Sequence, residues 1–69
     1  MMDRIEYNKK ILALLTEFLC KNPTFRFTQA LWALGIIRKD NEGNIVDNFY
    51  EEPSDTLSII VNRDLYSSN

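Results

Sequence analysis

The chain has 69 residues, a formal net charge of −2, and 45% hydrophobic against 26% charged side chains. That length makes one small domain, residues 1–69, hiding only about 60% of its unfolded surface, and the apolar content excludes a disordered chain. One Cys and no His exclude an internal disulfide framework and remove the commonest general base and zinc ligand.

The first segment predicts a helix from Asp3 to Lys21. Asp3 and Glu6 have capping-box spacing, and Ile5, Ile11, Leu12, Leu14, Leu15, Phe18 and Leu19 share one half of the helical wheel with Tyr7. Asn22-Pro23 ends it, because a proline disfavours helical backbone at the residue before it. A second helix is expected from Thr24 to Leu34, closed by Gly35 in the left-handed conformation. Phe27, Ala30, Leu31 and Leu34 form its inward stripe, while Phe25, Trp32 and Ile36 point the other way. Either the end of the chain folds over that second stripe, or Trp32 sits on a dimer or partner surface.

Ile36-Ile37-Arg38-Lys39 and Asn44-Ile45-Val46-Asp47 flank a turn containing Asn41-Glu42-Gly43, a pattern for a short β-hairpin with an irregular loop as the alternative. Phe49-Tyr50 is expected to tuck into the core, followed by the acidic pair Glu51-Glu52. Pro53 suits the first turn of a third helix, capped by Glu52 or Ser54, with Asp55 at its positive end. Its inward stripe is Leu57, Ile60 and Val61, running to about Leu65, and Tyr66 to Asn69 is expected to fray. The predicted fold is mainly α: a compact three-helix domain with a short β-hairpin or loop between helices 2 and 3. Leu15, Phe18, Leu31, Leu34, Leu57 and Ile60 are the expected core.

Most chemistries fit these residues poorly. Setting Gly43 at the sixth position of a calcium loop places Arg38 at the first ligand and Phe49 at the twelfth, and neither ligates calcium. Cys20 has no histidine to activate it, and Gly35 and Gly43 cannot form a phosphate cradle. Asp47, Glu51, Glu52 and Asp55 supply carboxylates, but a thin core leaves little room for an acid–base cleft. No catalytic residue, metal ligand or cofactor is expected, and the reading is that the chain is not an enzyme. The longest apolar runs, of which Ile11 to Leu15 is one, are far from the roughly 20 residues of a membrane span, and no signal-peptide layout is seen. A cytoplasmic location is the expectation.

Charge is distributed unevenly. Residues 1–39 carry seven basic and three acidic side chains; residues 40–69 carry one basic and seven acidic. An acidic half of this kind steers a basic partner, or it pairs with the chain's own basic half. A winged-helix comparison fails on the Asn41-Glu42-Gly43 tip, since phosphates would repel an acidic wing.

Asn22-Pro23-Thr24-Phe25-Arg26-Phe27-Thr28-Gln29-Ala30-Leu31 and Asp47-Asn48-Phe49-Tyr50-Glu51-Glu52 resemble a pattern in small uncharacterised proteins of bacteria, their phages and prophages: a Pro-x-x-Arg-Phe-x-Gln helix followed by an Asp-x-Phe-Tyr acidic turn. The resemblance implies a bacterial or mobile-element origin and supplies no catalytic residue. Physically, Arg26 is expected to pair with Glu51 or Glu52 and Gln29 to bond a turn backbone, as a structural clip. Alternatively, Arg26, Gln29, Trp32, Phe49, Tyr50, Glu51 and Glu52 form a recognition patch. The function read from the sequence is a non-catalytic protein-interaction module, a phage- or prophage-encoded accessory or inhibitor. Its expected partner is a protein with a basic surface or a second copy of the chain. A small DNA-associated regulator is the alternative.

Overall fold

A computed structural model describes residues 3–63 of the chain. These form α1 (Arg4–Lys21), α2 (Phe27–Leu34) and α3 (Pro53–Val61). Helix α1 begins where Asp3 Oδ1 accepts the Glu6 N–H at 3.1 Å. It ends where Asn22 donates to the Phe18 carbonyl through its backbone N–H (3.0 Å) and its side-chain amide (2.9 Å), satisfying a carbonyl the helix leaves open. Helix α2 begins three residues later than the sequence pattern suggests. The Asn22 carbonyl accepts the Phe25 N–H in a turn, and Arg26 stays extended while Gln29 Oε1 takes its N–H at 2.8 Å. Helix α3 opens on Pro53, with Asp55 in its first turn. The expected stripe residue Leu65 and the expected fraying at Tyr66 to Asn69 lie outside the described residues.

Helix α1 packs against both other helices. Leu15, Phe18, Ala30, Leu34 and Ile60 are buried, with Ile11, Leu14, Leu19, Leu31, Ala33 and Ile36 packed half-buried around them. Two expected core residues fall short: Leu31 and Leu57 are only half-buried. Leu57 sits at an open α1–α3 seam, a cleft of about 390 Å³ shared with Lys10, Ala13, Leu14, Glu17 and Val61. Phe27, expected inward, is 59% exposed. It is the first residue of α2, and helical side chains lean toward the N-terminus, which carries this ring past the edge of the core.

The β-hairpin expected between the second and third helices is not formed. Among the described residues there is no strand, only an isolated antiparallel bridge between Lys39 and Ile45. The first arm is consumed by the end of α2. Gly35 adopts φ +85°, its N–H donates to the Trp32 carbonyl, and the Ile36 and Ile37 N–H groups both donate to the Leu31 carbonyl. This is a Schellman-type helix stop, and it removes from any ladder the amides that Ile36 and Ile37 would contribute. The Ile36 carbonyl is also taken, at 2.8 Å, by the Asn48 side chain. Only the Arg38–Val46 and Asp40–Asn44 backbone bonds remain, closed by Asp40 Oδ1 accepting from the Glu42 and Asn44 N–H groups.

Candidate functional site

The segment from Asp47 to Pro53 joins this loop to α3 and carries four of the residues singled out in the sequence. Asp47 Oδ1 accepts the Phe49 N–H at 3.2 Å, and the Glu51 N–H donates to the Asn48 carbonyl at 3.0 Å. Residues 48–51 therefore make a β-turn whose two ends are anchored and whose middle residues project. At one end Asn48 holds the Ile36 carbonyl; at the other, Glu51 is drawn inward. Phe49 and Tyr50 occupy the corner, 81% and 89% exposed, packed edge to face with ring centroids 4.9 Å apart. The expectation that they tuck into the core is overturned, because the turn's anchors point inward and its corner has to point out.

Both glutamates that follow hold an arginine, though neither arginine is Arg26. Glu51 pairs with Arg38, whose guanidinium also donates to the Gly35 carbonyl at 3.0 Å, and Glu51 accepts a second bond from the Thr56 hydroxyl of α3. The Arg38 and Glu51 side chains are 24% and 13% exposed. The Arg38 hydrogen bond holds the Glu51 carboxyl below its usual pKa, against the opposing effect of burial and with help from Thr56. Glu52 receives Arg4 through two bonds, from Nε at 2.8 Å and from an Nη at 2.7 Å. That pair is open to water, and the Arg4 hydrogen bond lowers the Glu52 pKa while Glu52 raises that of Arg4.

Arg26 immediately precedes α2, and its backbone N–H is held by Gln29; these two are brought together with each other. Among the described residues, neither bonds the acidic turn. The turn is anchored at the Gly35–Ile36 end of α2, and an eight-residue helix places Arg26 roughly 12 Å away at the opposite end. The expected clip is thus made by Arg38. Trp32 is 37% exposed, and Phe25, which has no evident partner in the sequence pattern, packs edge to face on Phe18 with centroids 5.2 Å apart. Cys20 is exposed.

Sequence reasoning missed Arg4, Arg38, Asn48 and Thr56. The signal that pointed to the arginines is the basic first half set against the acidic second half. Arg4, Phe49, Tyr50, Glu51, Glu52 and Pro53 line a shallow depression of about 340 Å³. Chemically it offers two aromatic surfaces, a carboxylate already gripping a guanidinium, and a rigid proline edge. Among the described residues, no helix is long and apolar enough to cross a membrane, and no three acidic or cysteine side chains gather as a metal set. No family model, curated protein or solved structure matches the chain.

Proposed function

We propose that the protein is a non-catalytic protein-interaction module acting in the cytoplasm, a phage- or prophage-encoded accessory or inhibitor, with the Phe49–Tyr50 ridge as its contact element. The observation that carries this reading is the near-complete exposure of two adjacent aromatic rings on a turn held at both ends. Exposed aromatic side chains are costly to leave in water, and they are enriched at interfaces as anchors. A turn already fixed by Asn48 and by the Arg38–Glu51–Thr56 bonds loses little conformational entropy when a partner closes over it.

A protein partner with a basic surface fits the charges around the ridge. Asp40 to Asp55 contains six carboxylates and no cation, and Arg38 and Arg4 satisfy two of them. The remaining charges favour fast association that weakens as salt rises. Affinity capture from the host with the parent chain and with a Phe49→Ala/Tyr50→Ala variant tests the reading. The variant is expected to lose a specific partner while melting as the parent does. Retention of every partner by the double variant contradicts it.

A further inference from the structure

The carboxylate beside the ridge already displays the kind of cation it accepts. Arg4 meets Glu52 through Nε and Nη at 2.8 and 2.7 Å, the two-point grip that a planar guanidinium makes and an ammonium does not. The Arg4 and Glu52 side chains are 73% and 49% exposed, so exchanging one guanidinium for another costs little. Arg4 is also poorly placed on its own helix. It is the first residue of α1, at the end whose dipole disfavours a positive charge. The two rings beside Glu52 stand nearly perpendicular and largely in solvent, and guanidinium planes stack on such faces.

We propose that the depression formed by Phe49, Tyr50, Glu52 and Pro53 receives an arginine side chain of the partner protein, which displaces Arg4 from Glu52 and stacks on the exposed rings. This rests on the interaction reading above and narrows it, from a basic surface to an arginine at the centre of the contact. Arg4 is then an internal occupant that a partner exchanges: it keeps Glu52 neutralised in the free protein and is released when the partner's arginine arrives. The Arg38–Glu51 pair stays in place, because Thr56 and the Gly35 carbonyl share its bonds on the inner side of the turn.

A capped triarginine peptide is the probe, titrated into the labelled protein while backbone amide resonances are followed. Shifts are expected at Phe49, Tyr50 and Glu52. Arg4→Ala is expected to tighten binding about two- to fivefold, the factor an exposed ion pair is worth. Glu52→Gln in that background is expected to weaken it by at least the same factor, and a capped trilysine peptide is expected to bind more weakly than triarginine. Melting curves of each variant confirm that it is folded. Equal or weaker binding by Arg4→Ala, equal binding of trilysine, or shifts spread over all acidic residues overturns the proposal, as does the absence of shifts at the ridge. If triarginine fails while Phe49→Ala/Tyr50→Ala still loses its captured partner, the arginine assignment falls and the interaction module stands.

Discussion

Glu51 and Glu52 are neighbours in the chain, carry the same side chain and each hold an arginine, yet they belong to different parts of the molecule. Glu51 faces inward, where Arg38, Thr56 and the Gly35 carbonyl close a half-buried network between the end of α2 and the start of α3. Glu52 faces outward beside Phe49 and Tyr50, holding Arg4 in open solvent. The difference shows that burial, more than charge or pairing, divides the turn. Its inner side is tied into the fold, and its outer side is open to solvent.

The largest effect is expected beneath the inner side. Ile60 is fully buried one helical turn after Thr56, so Ile60→Ala should cost about 2–5 kcal/mol and loosen the helix that carries Thr56. A melting point close to the parent's would show that α3 does not rest on this core. Gly35→Ala attacks the other support. A Cβ there meets Ile59 Cγ2 and Arg63 Nη1 at 3.0 Å, on a backbone with φ +85°. The left-handed backbone alone should cost about 1–2 kcal/mol, whereas Gly43→Ala shares the conformation and meets nothing within 4 Å, and so should cost less. Denaturant titration of the two variants checks the order.

Acid sharpens the comparison further. Both glutamates titrate below their usual range in the folded chain. The stability each contributes is therefore complete above its unfolded pKa and is lost as pH falls through its folded pKa, a window beginning near pH 4–5. Added salt should screen the exposed Glu52 contribution and leave most of that from Glu51. Melting points between about pH 6 and pH 3, with and without salt, in the parent and in each single Gln variant, measure both. The smallest effect belongs to the ridge: Phe49→Ala and Tyr50→Ala should leave stability nearly unchanged, because neither ring is buried.

Much of this was legible in the residues. The boundaries of α1 follow from Asp3 and Asn22-Pro23, the end of α2 from Gly35, and the start of α3 from Pro53, since each acts locally on one or two backbone groups. The connection between α2 and α3 was harder to read. Ile36, Ile37, Ile45 and Val46 have the composition of a hairpin, but the helix stop at Gly35 and the Asn48 side chain claim backbone groups that the ladder required. The helix stop is local, but the Asn48 contact, twelve residues from Ile36, is decided by three-dimensional proximity, which spacing does not encode. The candidate site divides the same way. Phe49, Tyr50, Glu51 and Glu52 are consecutive and were found together, whereas their partners Arg4 and Arg38 lie 48 and 13 residues away. Arg26 had the right charge at the wrong end of its helix.

The most direct test of this division is a side-by-side thermal melt of Glu51→Gln and Glu52→Gln at neutral pH. Glu51→Gln leaves the half-buried Arg38 without its carboxylate and should cost about 1–3 kcal/mol, while Glu52→Gln, which opens only an exposed pair, should lower the melting point much less. Equal melting points for the two variants, or a larger loss for Glu52→Gln, would contradict the account.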